Sequence, residues 1–164
     1  MNDIPKRVNS IRIWLKENRL DAIIIPHEDE YLSEYIPPEN ERLAWATGFT
    51  GSAGLAIITQ DKAAIFVDGR YTVQVREQVD SSLYTILHIS RNPYLKWLKT
   101  ILNSNAKVGY DSRLQRADWK INTEKMFAGT ITLIPIIKNP IFLGALTIAS
   151  FGQALTHSSH RVQA

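Results

Sequence analysis

Residues 55–68 read LAIITQDKAAIFVD. Two apolar runs, Leu55 to Thr59 and Ala63 to Val67, stand on either side of a short polar gap. Short apolar runs with β-branched residues favour strands. So short a gap between them predicts a hairpin that turns at Gln60 and Asp61, although the strong Asn-Gly signal is absent.

The neighbouring segments extend this reading in both directions. Upstream, DAIIIP (residues 21–26) reads as a buried strand. Before it, Asn2 to Leu20 carries Val8, Ile11, Trp14 and Leu15 at helical spacing. HEDEYLSEYIPPENER (residues 27–42) is polar, acidic and broken by Pro37 and Pro38, so it reads as a long loop with at most one helical turn. Downstream, DGR ends the second strand of the hairpin, Tyr71 to Val79 suits a short helix, and SLYTILHI (residues 82–89) suits a strand. Pro93 to Asn103 places Leu95, Leu98, Ile101 and Leu102 on one helical face. KVGYD (residues 107–111) reads as a strand, Leu114 to Phe127 as a helix, and TITLIPII (residues 130–137) as a strand closed by Pro140. This alternation predicts an α/β domain with a mixed, partly parallel β-sheet flanked by helices.

From Ile141 the pattern changes. IFLGALTIASFGQALTHSSHRVQA has no Asp or Glu and a single Arg. The chain therefore divides into a domain over residues 1–140 and a divergent, loose tail over residues 141–164, with at most a weak helix from Phe142 to Ala149.

Composition narrows the function classes. The chain has 164 residues, 45% of them hydrophobic, enough for one packed core. Its net charge is +3 with no run of three basic residues, which argues against a nucleic-acid footprint. There is no Cys, so a disulfide scaffold and a Cys-based zinc site are excluded. MNDIPKRVNS at the start lacks the apolar core of a secretory signal. The apolar stretches fall short of the ~20 residues that span a bilayer. A cytoplasmic protein with no membrane partner is the expectation.

Three motifs invite a chemical reading. GFTGSAG (residues 48–54) spaces Gly48, Gly51 and Gly54 three apart, with Ser52 among them. A dinucleotide fingerprint needs a helix next, but a strand follows; a P-loop needs Gly-Lys-Ser/Thr; a nucleophile elbow needs Gly-x-Ser-x-Gly. The stretch is read as a bend where a Cβ would obstruct the backbone. HEDE (residues 27–30) gathers one His and three carboxylates, but consecutive side chains diverge, so a solvated acidic loop is expected rather than a metal site. His88 is expected to be structural, and His157 and His160 fall in the tail. DGRY (Asp68, Gly69, Arg70, Tyr71) closes a strand, where α/β sheets place binding groups. Either Arg70 clamps a carboxylate or carbonyl, or Asp68 caps the next helix while Arg70 pairs with an acid such as Glu34.

Taken together, IIIPHEDEYLSEYIPPENERLAWATGFTGSAGLAIIT (residues 23–59), AAIFVDGRYTVQVREQVD (residues 63–80) and KVGYD resemble the N-terminal domain of the long, three-domain Xaa-Pro aminopeptidases (aminopeptidase P), of the creatinase/prolidase N-terminal type. The likeness runs from about Val8 to Pro140. SEYI, GFTGSAG and DGRY occur in the family's order, and the combination is specific. The resemblance implies the same mixed sheet flanked by helices. It also implies kinship to an enzyme that removes the N-terminal residue of peptides with proline in second place. It places that chemistry elsewhere: two divalent metals, usually manganese, held by two Asp, one His and two Glu of a C-terminal pita-bread domain, with a metal-bound hydroxide as nucleophile. No catalytic or metal-ligating residue is therefore assigned within this chain. The family pattern lapses near Pro140, as in a truncated, frame-shifted or split gene product. The implied partners are a separate catalytic-domain chain or further copies of this one. The alternative is a surviving oligomerisation or partner-binding module. Phe49, Arg70 and Tyr71 match the motif positions nearest the cleft and are the candidate substrate-facing residues. Gly48, Gly51, Ser52, Gly54, Asp68 and Gly69 are read as structural.

Overall fold

The computed structural model describes residues 2–145. The hairpin forms with the expected limits: β2 is Leu55–Thr59 and β3 is Ala63–Val67, paired antiparallel. Its turn is closed by Thr59, whose backbone N–H donates to the Lys62 carbonyl and whose hydroxyl oxygen accepts from Lys62 N–H at 2.8 Å. β1 (Ala22–Pro26) pairs antiparallel with the other side of β2. β4 (Thr85–His88), β5 (Ala106–Tyr110) and β6 (Ile131–Pro135) complete one six-stranded sheet in the order β4-β3-β2-β1-β5-β6. β4 lies parallel to β3, β5 parallel to β1, and β6 parallel to β5. Among these strands only β2 runs against the rest.

Each residue of β1, β2 and β3 is buried. Alternate side chains serve two cores, which is why these strands read as unbroken apolar runs. On one face Ile23, Ile25, Ile58, Ile65 and Val67 meet Val8, Ile11 and Leu15 of helix α1 (Ile4–Glu17) and Leu43 and Ala46 of α2 (Arg42–Thr47). Val75 of α3 (Thr72–Gln78) joins them. On the other face Ile24, Ile57, Phe66 and Val108 meet Leu98 of α4 (Tyr94–Ile101) and Phe127 of α5 (Ala117–Phe127).

The differences from the sequence reading have local causes. α2 falls in a stretch given no element; six residues are too few to display a helical period. β4 is shorter than SLYTILHI because Tyr84 leaves the sheet register. Its buried hydroxyl donates to the Ala46 carbonyl at 2.8 Å and ties the start of β4 to α2. α5 begins at Ala117, since Leu114 N–H is already bound to the Asp111 carbonyl in a turn. The acidic loop contains one 3-10 turn, Pro38–Asn40, as expected.

Helical order also continues past the expected boundary. Residues 140–145 are helical, and Ile141 and Ala145 are buried. Asn139 Oδ1 accepts the Phe142 N–H at 3.0 Å. The Phe142 ring lies 5.3 Å from the Arg42 guanidinium and 4.3 Å from that of Arg113, a contact of cation–π type with each. Gly144 lies against the Trp45 indole; a Cβ there would come within 2.2 Å of the ring. The remainder of the tail, residues 146–164, lies outside the described residues.

Ile141→Ala should therefore behave as a core truncation and cost about 2–5 kcal/mol in urea unfolding. A change of a few tenths would show that the chain after Pro140 is not part of the domain.

Candidate functional site

Because β1, β3 and β5 are parallel, their carboxyl ends reach one edge of the sheet, where open α/β sheets place their ligand crevices. A cleft of about 470 Å³ opens there. Its walls are His27 and Glu28 after β1, residues 32–35 of the acidic loop, Ser52 before β2, and Arg70 after β3.

The DGRY turn settles which of its groups pair. Asp68 Oδ1 accepts the Arg70 backbone N–H at 2.9 Å, capping the 3-10 turn Gly69–Tyr71. Its other oxygen takes Arg70 Nη2 at 2.8 Å. The Arg70 partner is thus Asp68 rather than Glu34. The guanidinium beside it holds the Asp68 carboxyl below its ordinary range. Arg70 remains 71% exposed and also lies 5.3 Å from the Tyr71 ring, so its outer edge faces the cleft. Tyr71 is fixed by a hydrogen bond between its hydroxyl and that of Ser52.

Phe49 takes a different place from the one expected. It has no exposed surface, and its ring packs edge-on beneath Tyr71 with centroids 5.6 Å apart. It supports the cleft wall from inside the core instead of facing a ligand. That position also explains the glycines. Gly48 ends α2 in the left-handed region at φ +81°, which an L side chain enters only with strain. Gly51 lies directly on the Phe49 ring, and a Cβ there would come within 2.2 Å of Cζ. The first three amides of the stretch are committed internally: Gly48 N–H to Ala44 O, Phe49 N–H to Thr47 Oγ1, Thr50 N–H to Gln78 Oε1. Donors used this way are not a phosphate cradle.

The HEDE group does diverge, but it is not solvated. Asp29 is only 1% exposed and accepts N–H groups from Tyr31 and Ser33 at 3.0 and 2.8 Å. Those bonds hold its carboxyl below the usual range. Glu30 pairs with the buried Arg42 at 2.6 Å and approaches Arg113 at 3.7 Å, while Arg113 binds Asp111 at 2.7 Å. His27 turns to Glu41, with Nδ1 3.9 Å from Oε2. Burial lowers the imidazole pKa and raises that of Glu41, whose Oε2 has no hydrogen-bond partner. Glu28 is raised too, by burial and then by the charge of Asp29. The sequence reading missed Glu41, Arg42, Asp111 and Arg113. Their signal is distributed over separate segments that only the fold joins. His157 and His160 lie outside the described residues.

Residues 7–136 match the family model described as the Creatinase/Prolidase N-terminal domain. Among curated proteins, Xaa-Pro aminopeptidase 2 of Homo sapiens is 34% identical over 83% of this chain and 20% of its own length. Aminopeptidase P2 of Arabidopsis thaliana is 40% identical over 70% of this chain and 17% of its own. The chain thus spans about a fifth of the length of these relatives. Among solved structures, X-prolyl aminopeptidase from Caenorhabditis elegans, described as a cytosolic enzyme with a di-nuclear active site, superposes with a TM-score of 0.78. Identity there is 24%, over 84% of this chain and 25% of that one. The N-terminal domain of cytoplasmic peptidase PepQ from Mycobacterium tuberculosis H37Rv gives 0.62 at 18% identity, covering 85% and 98%. At those identities the two structures establish the shared fold.

Two outcomes are expected. Gly51→Ala should cost about 1–3 kcal/mol by urea unfolding, since backbone or the Phe49 ring must move to admit the methyl group. Glu41 is an acid whose folded pKa lies above its ordinary 4.5, so the fold holds its proton more tightly than the unfolded chain does. Its contribution is therefore fully present at low pH and is lost as pH rises above that value. Glu41→Gln should gain stability relative to the parent as pH rises above the ordinary 4.5. A difference in urea midpoint that does not change with pH would contradict this.

Proposed function

This chain belongs to the creatinase/prolidase N-terminal domain family, and from that premise we propose that it is the non-catalytic N-terminal domain of an Xaa-Pro aminopeptidase. The observation that carries the reading is the match itself, to an N-terminal domain model and to about a fifth of the length of Xaa-Pro aminopeptidases. Among the described residues no three His, Asp or Glu side chains gather as ion ligands, and His27 faces Glu41. The residues present do not fit a pair of divalent ions, and no step of the chemistry is assigned to them through such a pair. Manganese, the attacking hydroxide and the hydrolase activity are assigned to a catalytic domain outside these residues.

In this reading the cleft forms one wall of a peptide site. Arg70 keeps Nη1 uncommitted and offers it to a carbonyl or carboxylate of a proline-containing peptide. Tyr71, locked by Ser52 and backed by Phe49, sets the shape of that wall. The working location is the cytoplasm, in keeping with the absence of Cys. Among the described residues no helix is long and apolar enough to cross a membrane. A second reading, a self-associating or partner-binding module, draws support from Tyr31 and Tyr35, each 85% exposed on the loop that borders the cleft.

The purified chain with added Mn²⁺ should not cleave an Xaa-Pro-Xaa peptide. Added to lysate from its own source, it should raise the cleavage rate above that of the lysate. No rise would favour the partner-binding module, and cleavage by the chain alone would overturn the assignment of catalysis to another domain.

A further inference from the structure

Beyond the DGRY turn, toward the β4 rim of the sheet, lies a second depression of about 410 Å³. Val67 and Val75 lie in its floor, and Arg76, His88, Arg91 and Asn92 stand around it. No Asp or Glu lines it. Among the described residues Arg76 and Arg91 make no ion pair and no side-chain hydrogen bond. Asp68 is within electrostatic reach of His88 but is already held by Arg70.

The imidazole contributes a donor for a geometric reason. Ser90 N–H donates to His88 Nδ1 at 3.2 Å, so a neutral ring carries its proton on Nε2. That edge of the ring lies beside Gly69, where even a side-chain carbon would stay at ordinary contact distance, 3.6 Å from Nε2. The Thr72 hydroxyl proton is spent on the Gly69 carbonyl at 3.1 Å. Two unpaired guanidinium groups and an N–H donor therefore surround a cavity that offers them no carboxylate. Like charges gathered this way repel, and a bound anion relieves the repulsion while satisfying planar, forked donors.

We propose that this depression binds a small oxyanion, a phosphate or carboxylate group, through Arg76, Arg91 and His88. The apolar floor gives an organic substituent a surface to rest on. The site is separate from the neighbouring peptide cleft and stands whether or not that reading holds.

The test is a ¹H–¹⁵N titration of the whole chain with inorganic phosphate and, separately, acetate, at ionic strength held constant with NaCl. Saturable shifts are expected at the amides of residues 72–76 and 88–92, with a Kd of about 1 mM or tighter for at least one probe. The stronger probe identifies phosphate or carboxylate as the recognised group. Arg91→Gln, at an exposed position that leaves the core intact, should weaken that affinity about tenfold. Arg76→Gln should do the same, and Lys62→Gln, on the opposite end of the hairpin, should leave it unchanged. Linear, non-saturating shifts with both probes, or undiminished affinity in a folded Arg91→Gln variant, would overturn the proposal.

Discussion

The burial of β2 is the constraint on which the rest depends. Its five residues have no solvent face and are bonded to a strand on each side, so the chain must supply two separate helical layers. Lone strands of this kind cannot stop at a hairpin, because each uncovered apolar face would cost several kcal/mol of lost burial. α1, α2 and α3 answer one face and α4 and α5 the other. Since β2 alone runs backwards, the strands around it end together, and the loops that follow β1, β3 and β5 share one rim. The cleft is a by-product of that topology before any side chain is chosen.

Support for the cleft comes from below. Phe49 fills the space under Tyr71, and Gly51 is small because the Phe49 ring is there. The motif that looked most like a ligand loop is thus the packing that holds Tyr71 and, through it, the cleft wall. Next to it, Glu30, Arg42, Arg113 and Asp111 bind the acidic loop to the end of β5, and Phe142 rests on the two guanidinium groups. Loops that would otherwise be mobile are held by a polar layer that is almost fully paired. Among the described residues the buried side-chain atoms left unpaired are Glu41 Oε2 and Arg42 Nε.

What the sequence disclosed follows the range of the forces involved. The hairpin was legible because both strands are apolar throughout and their turn is local. The mixed sheet was legible from the alternation of strands and helices. Asp68 as a cap was one of two open readings because its donor is two residues away. α2 was not legible: its six residues owe their helical state to Leu43 and Ala46 packing on α1 and the sheet. The acidic loop misled for the same reason. Nothing near Glu30 announces that Arg42 and Arg113 will pair with it, and that pairing draws a carboxylate expected in solvent against the domain. Phe49 was misplaced because Thr50 and Ser52 beside it lie at the surface while its own side chain turns inward.

The two outer strands carry one more consequence. β4 is only four residues long, and β6 ends in Pro135, which has no N–H to offer. An unpaired strand edge is a template on which a second chain can continue the hydrogen-bonded ladder. In this sheet one edge is too brief and the other is interrupted. In concentrated solution the sheet is thereby protected from growing, copy upon copy, into insoluble aggregate, and the apolar runs that build the core stay harmless once folded.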